Sequence, residues 1–253
     1  MGKFEGKIVA VTGSTRGIGR AAAIRFAEEG AKVVITGRGE NTGAEVVQFI
    51  KNFGGEAIYQ RTDVSKEEDI DRLVEAVIGT YGTIDILVNN AGVAGNFFAT
   101  LEDITNEDWD EVINTNLPSN FWTIKKFMPY FQKKGKGVIV NVCSTASTGA
   151  NQGGLMYTIA KHGQLGLTRQ LAAMYGKDGV RINAVLPGAT MTDMISGDLD
   201  KPNHPARVKV AMTPYGDFGD PRQLADVILF LASDDASFVY GTSLVADGGW
   251  TLL

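Results

Sequence analysis

Lys7-Ile-Val-Ala-Val-Thr12-Gly13-Ser-Thr-Arg16-Gly17-Ile-Gly19 is the stretch that decides the fold of this chain. Lys7 to Thr12 is short, apolar and rich in β-branched residues, the composition of a parallel strand buried on both faces. A glycine-rich turn follows at once. Arg20 to Glu29 then carries a helical apolar pattern that stops at Gly30, a residue suited to the left-handed end of a helix. Strand, glycine turn and helix in that order are what a dinucleotide-binding turn requires. Glycines let the backbone turn tightly and approach a pyrophosphate. The helix start offers free N–H groups and a positive dipole end to the anion. The spacing here is G-x-x-x-G-x-G, not the more familiar G-x-G-x-x-G.

Working outward, further strands are expected at Lys32 to Thr36, Ala57 to Arg61, Ile84 to Asn89, Val138 to Cys143, Arg181 to Leu186 and Ser243 to Ala246. None alternates strictly between apolar and polar, which suits a parallel sheet covered on both sides. Helical patterns lie between them at Thr42 to Phe53, Lys66 to Tyr81, Asn106 to Phe131, Met156 to Gly176 and Pro221 to Ala232. Ser65-Lys-Glu-Glu68 has the form of a capping box, and Thr105 and Asp220 are candidate N-caps. The expected fold is α/β: one Rossmann-type, doubly wound parallel sheet of about seven strands, helices on both faces, spanning residues 1–253 as a single domain. Right-handed crossovers in such a sheet bring ligands to the carboxyl ends of the strands.

Composition narrows the function. The chain has 253 residues, 44% of them apolar, and a net charge of −5, with a pI near 5.1. That acidity argues against nucleic acid or an anionic membrane as partner. No apolar run reaches the ~18–20 residues of a membrane span, and Met1 to Glu5 leads straight into the first strand, so a cytoplasmic location is expected. Cys143 is the only cysteine and the histidines number two. An intrachain disulfide is thereby excluded and no metal site is expected. Cys143 itself reads as a small buried hydrophobe.

Ser144 and Tyr157-Thr-Ile-Ala-Lys161 carry the chemistry. Tyr157 and Lys161, four apart on a helix, share one face at about 5–6 Å between Cβ atoms. A free phenol titrates near ~10 and exchanges protons poorly at neutral pH. A neighbouring ammonium favours the phenolate, so Lys161 is expected to lower the Tyr157 pKa towards useful acid–base work. A hydroxyl from Ser144 is suited to polarising a substrate oxygen. The three groups point to proton transfer on an alcohol or carbonyl oxygen.

Thr12-Gly-x-x-x-Gly17-x-Gly19, Asn89-Asn-Ala-Gly92, Asn116, Ser144 and Tyr157-x-x-x-Lys161, with Ser144 thirteen residues before Tyr157, resemble the short-chain dehydrogenase/reductase family over nearly the whole chain. Within that family the resemblance is to carbonyl reductases of the 3-oxoacyl-carrier-protein reductase kind. It implies an NAD(H)- or NADP(H)-dependent oxidoreductase with Asn116, Ser144, Tyr157 and Lys161 as catalytic residues. Asn116 would support a water between Lys161 and solvent. Asn114 competes for that role, but Leu117 follows Asn116 as in the family pattern. The resemblance further implies cofactor contacts from Gly13, Ser14, Thr15, Arg16, Gly17, Ile18 and Gly19; from Asp63, facing the adenine, and Val64; and from Asn90, Ala91 and Gly92. Tyr157 and Lys161 would reach the nicotinamide ribose. Pro187, Gly188, backbone at Thr190 and the Thr192 side chain complete the set; the family usually has an aliphatic residue where Thr190 stands.

The phosphate question is readable. An NAD site usually carries an acid after the second strand for the ribose 2′-OH. This chain has Thr36-Gly37-Arg38 there. Arg38, with Arg16 from the other side, is placed to pair with a 2′-phosphate, so NADP(H) is favoured over NAD(H), although Glu40 lies close by in sequence. The expected substrate is a neutral, medium-sized, partly apolar ketone or secondary alcohol. Asn96-Phe-Phe98 and Gln152-Gly-Gly-Leu155 are expected walls. The segment from about 190 to 218, with Met194, Leu199, Val210 and Phe218 among charges such as Lys201 and His204, is read as a mobile lid without regular structure. Family resemblance implies a homotetramer, with apolar Trp250-Thr-Leu-Leu253 suited to burial in a neighbour. The alternatives are an NAD-dependent alcohol or diol dehydrogenase with the same residues, and a non-catalytic cofactor sensor on the same fold.

Overall fold

A computed structural model describes residues 2–196, 199 and 205–253. Strands β1 (Ile8–Val11), β2 (Lys32–Gly37), β3 (Glu56–Arg61), β4 (Ile86–Asn89), β5 (Gly137–Val142), β6 (Val180–Pro187) and β7 (Ser243–Ala246) form one sheet in the order β3-β2-β1-β4-β5-β6-β7. Every pairing is parallel. The chain runs from β1 outward to β3, then returns to pair β4 on the other side of β1. That reversal is the topological switch point, where a crevice opens at the strands' carboxyl ends.

Alternate residues of each strand face opposite layers, and both faces are covered. Val9, Val11, Val33, Ile35, Val88 and Val140 pack against α1 (Gly17–Glu28), α2 (Glu40–Asn52) and a later helix over Pro221–Ala232. Ile8, Ala10, Val34, Leu87, Ile139 and Ile182 pack against α3 (Glu67–Tyr81), a helix over Pro118–Lys134 and one over Leu155–Tyr175. The doubly wound sheet read from the sequence is therefore the one formed, and all seven strands fall where they were expected.

Three local readings are corrected. The first is the single helix expected over Asn106 to Phe131. It is two, α4 (Asn106–Asn116) and α5 (Pro118–Lys134), meeting at Leu117. Pro118 has no N–H to continue the first helix and its fixed φ suits the first turn of the next. The second is the Ser65 capping box, which does not form: α3 starts after Lys66 with no side-chain cap. The Ser65 hydroxyl donates to Asp63 Oδ1 at 2.7 Å instead. The α3 start is served by acids in its first turn. The third is the segment 190–218, which contains two short helices, α7 (Asp193–Ser196) and α8 (Pro205–Met212), after α6 (Leu155–Tyr175). Leu199, Val210 and Phe218 are buried there with Ile195, Ala206 and Trp250 against them. Lys201 and His204 lie outside the described residues.

The expected caps at Thr105 and Asp220 are present. Thr105 Oγ1 accepts from Asp108 N at 3.1 Å. Asp220 Oδ1 accepts from Arg222 N at 2.7 Å, and Gln223 completes a capping box at the start of α9 (Pro221–Ala232). Replacing Asp220 with Ala is expected to destabilise the protein by about 1 kcal/mol in urea unfolding. An unchanged midpoint would mean that the cap is dispensable.

Candidate active site

The crevice at the switch point is a cleft of roughly 790 Å³. Its floor is made by the turns after β1 and β4. Thr12 Oγ1 accepts N–H bonds from Asn90 at 2.9 Å and Ala91 at 3.0 Å. In return Asn90 Nδ2 donates to the carbonyls of Thr12 and Gly13 at 2.9 and 3.0 Å. The Asn90 side chain thus holds the glycine turn in place.

The turn is shaped for something close to backbone. Gly13 has φ +63° and Gly17 has φ +54°, conformations that side chains other than glycine's rarely adopt. A Cβ at Gly13 would stand 2.8 Å from Ala91 Cα, and one at Gly19 would stand 2.3 Å from Asn90 Nδ2. Helix α1 begins within the turn at Gly17, with no acid in its first turn and no side-chain cap from Arg16. Its N–H groups and dipole are left to an anion. These features fit the pyrophosphate of a nicotinamide dinucleotide.

Gly37, Arg38, Thr62, Asp63 and Val64 line one end of the cleft. Burial alone would raise the Asp63 carboxyl. Hydrogen bonds from the Ser65 hydroxyl and N–H, with the charges of Arg38 and Lys66, hold it below its ordinary value. Arg38 is exposed beside it, and no acid follows β2 at Gly37. Arg16 is 68% exposed and stands 3.9 Å from Asp193, an ion pair too solvated to hold it firmly. A Cβ at Gly37 would meet Thr15 Cγ2 at 2.7 Å, so cofactor choice is better probed at Arg38. Further along, Pro187, Gly188, Thr190 and Thr192 line the same cleft. Thr190 bridges to Gly219, and Thr192 lies over Gly17, whose Cβ would meet its methyl at 3.3 Å.

The other end is built by β5 and α6. Ser144 directly follows Cys143 at the end of β5, caps a short 3₁₀ turn over Thr145–Ser147 and accepts from Ala146 N at 3.1 Å. Tyr157 and Lys161 stand on α6 and line the cleft with it. Lys161 is 3% exposed; its Nζ donates to Val142 O at 2.9 Å and sits 5.4 Å from the Tyr157 ring centroid. The electrostatics differ from those expected. Burial pushes the Tyr157 phenol up to about 12, with the Ser144 hydrogen bond pulling the other way. Burial likewise brings the Lys161 ammonium down to about 8. Lys161 does not lower Tyr157 here, because desolvation acts on both groups and the ammonium is aimed at the Val142 carbonyl. Cys143 is buried as expected, its thiol raised to about 11 by burial.

Asn116, fully buried at the end of α4, needs no water for its side chain. Nδ2 donates to Val93 O and Val112 O, each at 2.8 Å, and Oδ1 accepts from Val93 N at 3.2 Å. It fixes the loop after Gly92, where a Cβ would approach Asn116 Oδ1 to 2.5 Å. Its backbone carbonyl accepts from Gln164 Nε2. Sequence reading missed the clamp of Thr12 and the wall at Asn151, Thr145 and Trp250. A threonine directly before a glycine turn was the available signal for the first.

Comparison with known proteins agrees with this geometry. The family profile described as enoyl-(acyl carrier protein) reductase matches residues 13–251. The chain belongs to the short-chain dehydrogenase/reductase family. A 3-oxoacyl-[acyl-carrier-protein] reductase of Thermotoga maritima is 37% identical over 98% of each chain. A cyclohexanol dehydrogenase of Acinetobacter sp. is 35% identical, covering 98% of this chain and 96% of that one. The crystal structure of a levodione reductase superposes with a TM-score of 0.94 at 33% identity, over 98% of this chain and 99% of that one. The protein is an oxidoreductase of this family. Among its described residues no helix is long and apolar enough to cross a membrane.

The lowered Lys161 pKa makes stability depend on pH. Below about pH 8 Lys161 is charged in both the folded and unfolded chain, and the full cost of burying the ammonium applies. Between about 8 and the ordinary 10.5 the folded state gives up a proton that the unfolded state keeps, so stability rises with pH. Relative to Lys161→Met, the wild type is expected to gain roughly 3 kcal/mol between pH 7 and pH 10.5. Urea unfolding of both at each pH measures this; a constant difference would show that the buried ammonium is not penalised.

Proposed function

We propose that the protein is an NADPH-dependent carbonyl reductase that interconverts a ketone and a secondary alcohol, with Tyr157 as general acid and base. One observation carries this reading. The anion-ready glycine turn, with Arg16 and Arg38 beside it, and the Ser144–Tyr157–Lys161 group line opposite ends of the same cleft. When bound, the nicotinamide supplies or accepts the hydride. The protein's residues handle the oxygen. Ser144 Oγ orients the substrate oxygen and Tyr157 Oη gives it a proton, or removes one in the alcohol-to-ketone direction. Lys161 holds a positive charge beneath the phenol. Its position, 5.4 Å from the ring, lets that charge favour phenolate once bound ligand bridges the pair and offsets the burial that holds the phenol high. Asn116 positions Lys161 indirectly, by fixing the Gly92–Val93 loop.

Preference for the 2′-phosphate rests on Arg38 and on the missing acid after β2. Names of relatives support the substrate class: cyclohexanol dehydrogenase and 3-oxoacyl-[acyl-carrier-protein] reductase both describe carbonyl or carbinol chemistry. The described part of 190–218, which packs Leu199, Val210 and Phe218 against Trp250, is read as the cover of the substrate end. A homotetramer, read as cytoplasmic, accounts for exposed Trp109, Phe121 and Ile159 on α4, α5 and α6 and for Leu252, which is 78% exposed.

Titration of NADPH and NADH, followed by quenching of Trp250 at the cleft and by thermal shift, tests the cofactor. NADPH is expected to bind more tightly, and Arg38→Asp to weaken it about 10–100-fold while NADH is spared. Tighter NADH binding would replace the reading with an NAD-dependent alcohol or diol dehydrogenase. Tyr157→Phe is expected to lose about 10²–10⁴ in kcat while still binding cofactor. A near-normal kcat in that variant would remove Tyr157 from the mechanism.

A further inference from the structure

Among the described residues, the charged side chains lining the cleft belong to Arg16, Arg38, Asp63, Lys161, Asp193 and Lys209. All but the last have a place in the site already described. Arg16, Arg38 and Asp63 stand at the dinucleotide end, Asp193 pairs with Arg16, and Lys161 lies beneath Tyr157. Lys209 has no such task. Its one charge or ring partner among the described residues is Trp250, with Nζ lying 4.1 Å from the ring centroid.

The fold carries this ammonium to the cleft wall. Helix α8 lends the cleft Ala206 and Lys209, three apart and so on one face of the helix. Next to that face Val210 is buried with Leu199 and Phe218, and Ala206 and Trp250 pack against them. The lysine stem therefore runs over an apolar cluster and its head ends on a ring that lines the cleft as well. An indole face attracts an ammonium from one side only, whereas the head has three N–H donors. Lys209 is half-buried, not sealed in, and a flexible four-carbon stem lets its head swing from the ring to a ligand. In a cleft with mostly apolar walls, one placed charge of this kind fixes how a ligand lies.

We infer that Lys209 is a specificity-determining residue that pairs with a carboxylate on the substrate, at the end of the molecule away from the reacting carbon. The preferred substrates are then oxo acids, or hydroxy acids in the reverse direction, with an apolar body between the two groups. One ammonium balances one negative charge, which favours a carboxylate over a phosphate group. Ser144 and Tyr157 take the carbonyl oxygen and Lys209 takes the acid, so the substrate is held at two points. The chain as a whole carries −5 and repels anions, so a preference for an acid has to come from a local cation. The neutral ketone expected from the sequence becomes a ketone with one charge. The inference rests on the reading of the Ser144–Tyr157 end as the substrate site.

Binding can be separated from turnover. In the Tyr157→Phe background, saturated with whichever oxidised cofactor binds more tightly, calorimetry would compare two acids with their methyl esters. One acid is rigid, 4-oxocyclohexanecarboxylate, and one is flexible, 6-oxoheptanoate. Each ester keeps the carbonyl and the apolar body and loses the charge. At least one acid is expected to bind about tenfold more tightly than its ester. Adding Lys209→Met should bring that acid and its ester to parity. Lys209→Glu should place the acid below the ester, and Lys209→Arg, which keeps the charge, should retain the order. Acids and esters that bind alike, no binding by any of the four, or a preference that survives Lys209→Met would overturn the inference. So would a loss of cofactor affinity in Lys209→Met, which would put the ammonium on the cofactor instead. If the preference follows Lys209 while the Tyr157-bearing enzyme reduces none of these ketones with either cofactor, the assignment of the reaction fails and that of Lys209 stands. If that enzyme reduces acids and esters with equal kcat/KM, the reaction stands and the assignment of Lys209 fails.

Discussion

The clamp between Thr12 and Asn90 is the interaction on which the rest of this structure depends. Two adjacent N–H groups converge on one threonine hydroxyl, and one asparagine amide answers with two donated bonds. These bonds tie the turn after β1 to the turn after β4 at the point where the sheet reverses direction. Without them the glycine turn would be free to drift, since its glycines restrain the backbone least. With them, the start of α1 is aimed into the cleft and the floor between cofactor and substrate ends is fixed.

A second set of polar bonds runs beneath the catalytic end. Thr123 donates to Asn89, Asn89 to Asn141, Asn141 to Thr168, and Thr168 to the carbonyl of Gln164. All four side chains are almost entirely buried. They link α5, β4, β5 and α6 in a single register. A fully paired buried network of this sort fixes relative position in a way that apolar contacts, which tolerate sliding, do not. Ser144 leaves β5 three residues after Asn141, and Lys161 lies two helical turns before Thr168. The network therefore sets the distance between the strand that offers the hydroxyl and the helix that offers Tyr157.

Much of the fold was legible because its signals are local. Seven β-branched runs, glycine at turns and Thr105 or Asp220 before helices each act over a few residues. Where reading failed, competition was the cause. Ser65 has the sequence of a cap, yet Asp63 two residues earlier takes its hydroxyl. The pattern across Asn106 to Phe131 is helical throughout, and it divides at Leu117, where Pro118 opens α5, while Pro129 is carried inside that helix. The segment 190–218 looked irregular because only Leu199, Val210 and Phe218 are buried there, in a small cluster apart from the main core, while Met191, Met194, Val208 and Met212 are exposed.

The sequence by itself determined the sheet, the glycine turn, the candidate site residues and the absence of an acid after β2, since each depends on residue type and spacing along one element. The tertiary structure alone decided the electrostatics and the partners. Lys161 and Tyr157 are neighbours by spacing, but only burial, imposed by β5 and the cleft wall, moves one pKa down and the other up. Asn116 and Asn90 could be named from motifs. That their side chains secure loops depends on which backbone groups arrive from elements far away in the chain. Hydrogen bonding and desolvation are properties of the assembled surroundings, and no stretch of sequence carries them alone.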